Sequence, residues 1–534
     1  MSVLRQIKTD WLSRGVPAAL LLVIVAGQPW LDLDSWIYPF LDRYGLPRPS
    51  TIIRYLVVPA LILWCFYRFD RHRGRTLAVG GVSAAVLTVY FFFHHQLAAQ
   101  AAGLLNLTEN FRYSLFQEAM YCLTLLLPYG LIYFFVHVRF APRVFRQVCA
   151  VLSASVSLPI VISDLFVFGQ STYLGMTQAN FLSWFSGLGE TVEPRQLSCK
   201  FFFIEGNTIG ILLFMLLPLL YFYFADSQGR KEKLGWGALI VTQSLAMLML
   251  STRVAVLGTV LIPAAFAVIV LLDALALRHG SVNKAVLALC AGVGLSCLVI
   301  LPFTPAIGNQ RVDAQSNELL KEQDALLQQG IEQYRQRLQM DPDSPAYRQF
   351  CLDLFEQYGI EYRLISSLPQ MYYLDWYSYR QDPVFWSDLL FNVELEQRMD
   401  GRQFQRYFMN VKWDQAPAMM KLTGMGYTPL MNGSILLEQD FFQQKYTLGY
   451  LGAALMCGPW LLLTLGGAVL VLVRWKRCLT LSVMSMAMAL CCGLFAAVFS
   501  GHTLDQFITT MLMAMLCAEL LKQVVFQKEK GENA

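Results

Sequence analysis

The sequence predicts an all-α polytopic membrane protein with about 12 transmembrane helices and one large, mostly helical extracytoplasmic loop between spans nine and ten. Three observations carry this. Hydrophobic residues make up 56% of the 534 and charged residues only 15%, where a soluble chain carries about 25% charged; mean hydropathy is +0.46. The apolar excess is gathered in runs of about 18–24 residues, the length that crosses a bilayer. Short basic connections alternate with segments poor in Lys and Arg, a pattern that the positive-inside rule reads as the two faces of a membrane.

Taken in order, apolar windows place spans near 16–32, 51–67, 76–94, 115–137, 147–167, 207–224, 235–251, 254–275, 285–302, 447–472, 479–499 and 504–522. The basic connections hold Arg68, Arg71, Arg73 and Arg75; Arg139, Arg143 and Arg146; Arg230, Lys231 and Lys233; Arg278 and Lys284; and Arg474, Lys476 and Arg477. Both chain ends join this set, through Arg5, Lys8 and Arg14 and through Lys522, Lys528 and Lys530. An even number of spans with both termini in the cytoplasm follows. No small-residue cleavage site follows the first apolar run convincingly, so the first span is expected to be retained.

The chain therefore divides into spans one to nine (1–302), an external helical domain (303–446), and spans ten to twelve with a cytoplasmic tail (447–534). A second external loop, 168–205, carries Glu190, Glu193, Arg195 and Lys200. The excursion 303–446 has 13 Lys and Arg against 19 Asp and Glu, a net of −6. Within it, leucines, Ile331 and Tyr334 recur at helical spacing over 317–340, and Asp341-Pro342 breaks that helix. A second helix is expected over 344–357, ended by Gly359. These segments read as an ordered cap over the membrane face.

Of 12 cysteines, most fall in apolar runs and behave there as small hydrophobes. Cys199 and Cys351 lie in external segments, where two unpaired thiols are favoured over a disulfide. There is no C-x-x-C, no zinc spacing and no P-loop, which argues against a structural metal and an ATP-driven pump. Nothing points to nucleic acid; the bilayer is the first partner.

Polar chemistry concentrates at the end of the excursion, in 400–452. Arg402 and Arg406 are four residues apart in a helical pattern, so both guanidiniums share one face; such forks match phosphate oxygens. The bland alternative pairs them with Asp400 and Asp414. Glu438 and Asp440 precede Phe441 and Phe442 at the lip of the tenth span, where a carboxylate could serve as a general base or merely complement the following helix dipole. Arg253 sits in LMLSTRVAVLG, a turn between two spans with almost no loop, where it either snorkels to the headgroups or binds an anion. Glu118, Asp164 and Glu205 with Asn207 lie in or beside spans and each needs a partner or a water-filled cavity. His94, His95 and His502 sit near span ends, with interfacial residence as the default. Tyr372, Trp376 and Trp386 are stacking faces for a ligand, or core.

The order of these elements resembles the O-antigen ligase/O-antigen polymerase superfamily. IEGNTIGILLFMLLPLL followed by LAMLMLSTRVAVLG is similar to that family's Asn-bearing span and the next one ending in Ser/Thr-Arg. DGR resembles its Gly-Arg, GMGY its Gly-x-Gly, and LEQDFFQQKYTLGYLG its acidic motif followed by Gly-x-x-Gly. The likeness covers 205–452; the first five spans match only as spans. It implies a metal-independent and cofactor-free glycosyltransferase of GT-C type, taking sugars from a polyprenyl-diphosphate-linked oligosaccharide at the outer face of the bacterial cytoplasmic membrane. Arg253 and Arg402 would neutralise the diphosphate, Glu438 would orient or deprotonate the acceptor, and Arg406, Asp440 and Asn207 would bind substrate. Other polysaccharide-assembly proteins are expected partners. The ligases carry a histidine where Glu438 stands, and 303–446 contains no histidine, which favours a polymerase. The competing reading is a flippase for the same lipid-linked sugars, against which stands the asymmetric placing of the excursion, since transporter halves often repeat.

Overall fold

The computed structural model describes residues 2–186, 192–277, 282–321, 324–366, 368–394, 397 and 401–525. Glu190, Arg278, Asp400, Lys528 and Lys530 from the sequence reading lie outside the described residues. The protein is 79% helix, without a strand among the described residues. Ten helices are long and apolar enough to cross a membrane, and two bent pairs, Gln6–Leu12 with Val16–Ala26 and Asp440–Met456 with Gly458–Val473, bring the count to as many as 12. Each helix or pair falls on one of the expected windows. It is a polytopic membrane protein.

The chain forms two compact units. The first comprises Met1–Gly81, Leu123–Asn309 and Gly458–Ala534. At its centre is Gly206–Asp226, most of whose residues are buried, packed against Leu481–Phe499, Arg230–Leu250 and Arg253–Leu271. Glycines let these helices approach: a Cβ on Gly210 would stand 2.5 Å from the Thr252 hydroxyl, and one on Gly258 2.5 Å from Phe214. Some of the polar groups inside are paired, which offsets the cost of burying them. Gln243 donates to the Leu213 carbonyl at 2.8 Å and accepts from Ser153 at 2.6 Å. Arg54, within the span Pro49–Phe69, forks onto Asp32 at 2.6 and 2.9 Å.

The second unit comprises Val82–Cys122 and Gln310–Cys457. Its core is aromatic, including Trp386, Phe355, Phe404, Phe408 and Tyr446. The helix expected over 317–340 is divided between the end of Pro305–Lys321, the helix Asp324–Tyr334 and a tight turn Arg335–Gln339, and the one expected over 344–357 begins as Pro345–Leu354. Ser344 caps the last, its hydroxyl accepting the Tyr347 N–H at 3.2 Å. The helix does not stop at Gly359 but continues as a wide turn to Glu361; Phe355 and Tyr358 are buried there, so packing carries the chain past its expected end. All 12 cysteines are free thiols, Cys199 and Cys351 among them, both buried.

Candidate functional site

The helix Gly401–Gln415 buries Phe404, Phe408, Met409 and Trp413 in the second unit's core. Arg402 and Arg406, one turn apart, lie opposite Phe404 and Phe408, on the stripe that Met409 and Trp413 continue into the core. The chain reaches Glu438 through an irregular segment that Ile435 and Leu437, 1% and 3% exposed, anchor in the core. There the Glu438 carboxylate meets the Arg402 guanidinium directly, both side chains about one-third exposed (35% and 33%). Arg402 thus meets a residue 36 positions away. Arg406 lies over the Phe442 ring at 4.1 Å, a cation–π contact. Asp440, fully buried, occupies the first turn of Asp440–Met456, where a negative charge favours the helix dipole.

Two glycine motifs hold this segment. Gly424, Gly426 and Gly449 all have positive φ (99°, 92° and 70°), conformations that side chains rarely adopt. The N–H groups of Met425 and Gly426 donate to the carbonyls of Tyr446 and Thr447, each at 2.9 Å. The next two, of Tyr427 and Thr428, donate to the two carboxylate oxygens of Glu118, each at 2.8 Å. The Gly-x-Gly turn therefore spends its N–H groups on the fold. It is a clasp, not an anion cradle.

Sequence reasoning missed the other half of the clasp. His94 is fully buried rather than interfacial; its Nδ1 lies 2.6 Å from the Thr423 carbonyl and its Nε2 2.8 Å from Glu118. Tyr90, one turn before it, donates to the carbonyls of Thr423 (3.2 Å) and Leu448 (2.9 Å). Tyr121 stacks on Tyr427, ring centroids 3.7 Å apart, and its hydroxyl accepts from Gln444 at 2.6 Å. The available signal was spacing: Tyr90 with His94 and Glu118 with Tyr121 each share a face of an apolar helix. The aromatic candidates separate. Trp386 is 0% exposed and belongs to the core. Tyr372 and Trp376 are half-buried and pack edge to face at 4.8 Å.

Arg253 and Asn207 belong to the first unit. Arg253 opens the helix Arg253–Leu271, capped by Thr252, whose hydroxyl accepts the Ala255 N–H at 3.4 Å. Its side chain is exposed, with no ion pair among the described residues. A cation at the positive end of a helix is electrostatically misplaced. Asn207, half-buried, lies in the first turn of Gly206–Asp226, the helix that meets Thr252 at Gly210. The packing sets Asn207 and Arg253 at the same end of a helix pair. Asp164 accepts the Phe181 N–H at 2.9 Å and Glu205 the Thr208 hydroxyl at 2.8 Å.

The fold is that of a many-spanned helical membrane protein. The chain matches the O-antigen ligase like membrane protein family over residues 16–527, and it belongs to that family. The family supports a role in surface polysaccharide assembly. No curated protein and no solved structure matches the chain.

Proposed function

We propose that this chain is a membrane glycosyltransferase that moves sugar units from a polyprenyl-diphosphate carrier to an acceptor hydroxyl at the outer face of the bacterial cytoplasmic membrane. The observation that carries this reading is the contact of Arg402 with Glu438. It holds an anion-binding fork and a candidate base side by side, with Arg406 one turn further. On this reading both termini are cytoplasmic, 303–446 lies outside, and the lipid tail rests in the bilayer.

In the resting state Glu438 occupies the fork that a diphosphate would take. Phosphate oxygens match a guanidinium fork bidentately, so carrier binding draws Arg402 away and frees Glu438. The acceptor oxygen then bonds to the anomeric carbon as the bond from that carbon to the diphosphate oxygen breaks. The electron pair leaves on the diphosphate, where the arginines stabilise the growing charge, and the hydroxyl proton passes to Glu438. Arg253 and Asn207 enter by their family-like segments, as a second anion group and a substrate contact; Asp440 supports the Glu438 segment from the helix start. No metal or cofactor is needed for these steps. A glutamate at the position where the ligases carry histidine favours a polymerase.

The test is product size after incubating the protein in nanodiscs with polyprenyl-diphosphate-linked repeat units and no nucleotide. A ladder of lengthened chains, abolished by Arg402→Ala, supports the polymerase. Unlengthened substrate that crosses a liposome bilayer replaces it with the flippase.

A further inference from the structure

Five arginines of the first unit, Arg68, Arg71, Arg73, Arg75 and Arg139, line one open cavity of about 1110 Å³. His72 and His137 complete its basic wall. All five arginines are exposed, and none is in an ion pair among the described residues. Neighbouring basic residues differ: Arg143 pairs with Asp10 at 2.5 Å, and Arg146 with Glu232.

The cavity has one carboxylate, Asp70, and it is spoken for. Its Oδ1 accepts the His72 N–H at 2.6 Å, and its Oδ2 accepts the hydroxyls of Thr76 (2.5 Å) and Tyr133 (2.8 Å). The Thr76 hydroxyl leads these donors in pulling the Asp70 carboxyl down to about 2. Asp70 thus pins the start of Arg73–Leu104 to the end of Leu115–Val138, and its single negative charge leaves most of the guanidinium charge uncompensated. Arg73 also lies 4.9 Å over the Tyr67 ring. Arg139 holds a left-handed φ of 48°, and its carbonyl accepts from Arg14 at 3.0 Å, which brings a sixth guanidinium to the rim.

Like charges held this close repel, and topology alone needs only their number, not a shared cavity. Guanidinium forks suit phosphate oxygens, and basic pockets beside spans suit anionic headgroups. Beside the cavity the flanking helices expose Leu63, Tyr67, Leu77 and Val79, each more than 60%, a surface for acyl chains rather than for a soluble ion. We propose that this cavity binds the phosphate of an anionic phospholipid headgroup, separately from any sugar-transfer site.

The test uses the full chain in detergent. Native mass spectrometry and thermal shift compare phosphatidylglycerol, phosphatidylcholine and inorganic pyrophosphate. Wild type is expected to retain phosphatidylglycerol selectively, with retention falling as salt rises. At about 1 kcal/mol per arginine, Arg71→Gln with Arg75→Gln should weaken retention roughly thirtyfold, while Arg71→Lys with Arg75→Lys keeps most of it. Equal retention of the two lipids, or a glutamine variant that binds like wild type, overturns the site. Pyrophosphate binding as tightly as the lipid overturns the lipid as its source. Should the glutamine variant fail to fold, the salt dependence and the lysine variant still decide.

Discussion

Gly424 and Gly449 lie backbone against backbone. A Cβ on Gly424 would stand 2.1 Å from the Thr447 carbonyl oxygen, and one on Gly449 2.4 Å from the Gly424 nitrogen. Two short motifs 25 residues apart in sequence are thus one structural object, and it sets the path of the chain on either side of Glu438.

Replacing Gly424 or Gly449 by alanine is expected to prevent assembly, since the new Cβ meets backbone and φ is positive at both. Gly452→Ala meets the Tyr90 hydroxyl at 2.1 Å and should also destabilise. Gly466→Ala, in a helix interior with nothing within 4 Å of its Cβ, should instead stabilise by about 0.5–1 kcal/mol. Fluorescence-detected size exclusion with a thermal ramp separates these outcomes.

Arg402→Ala is expected to lower kcat about 10²–10³-fold, the loss typical of one charge-stabilising group. Glu438→Gln keeps the shape but removes the base, lowering kcat about 10²–10⁴-fold with little change in KM. Arg406→Ala loses a cation–π contact of about 1 kcal/mol and should raise KM more than it lowers kcat. Arg253→Ala, in a different unit, should resemble Arg402→Ala. Turnover of lipid-linked substrate measures all four, and full activity in Glu438→Gln would refute the assigned base.

Glu118→Ala strands the Tyr427 and Thr428 N–H groups and the His94 ring inside the second unit. Each buried donor left without its acceptor costs about 1–3 kcal/mol. The double change with His94→Ala should be less than additive, because the two residues share one network. A double-mutant cycle on thermal stability reads the coupling; strict additivity would show that the pair does not act as a unit.

Trp386→Ala empties a fully buried site and should cost about 3–5 kcal/mol in stability. Trp376→Ala and Tyr372→Ala should leave folding intact and weaken sugar binding, at about 0.5–1.5 kcal/mol per lost ring contact. Thermal unfolding and saccharide titration distinguish the two kinds of aromatic.

Lys412 is buried at 2% exposure, donating to the Tyr377 hydroxyl at 2.7 Å, with Asp382 at 3.6 Å. Burial pulls its ammonium below the ordinary 10.5, against the opposing pull of Asp382. Between the lowered folded value and 10.5 the unfolded chain binds more protons, so stability rises with pH across that window. Lys412→Met should abolish that rise. Denaturation followed from neutral pH to 10.5 tests it, and an identical slope in the variant would contradict the assignment.

The fold class was legible because bilayer-length apolar runs and the alternation of basic loops are one-dimensional properties. A chain with those runs has to bury its backbone polar groups in helices, whatever their neighbours. The apolar side of Gly401–Gln415 was legible for the same reason: its period is local. The contact of Arg402 with Glu438 was not, since a charge meets whichever group packing brings near. Nor was the use of the Gly-x-Gly turn as a clasp, because free and spent N–H groups look alike in sequence. His94 shows the difference most sharply. Its position near a span end suggested the interface, but Thr423, Glu118 and the buried face of an adjoining element placed it in the interior, and those contacts exist only once distant segments have met.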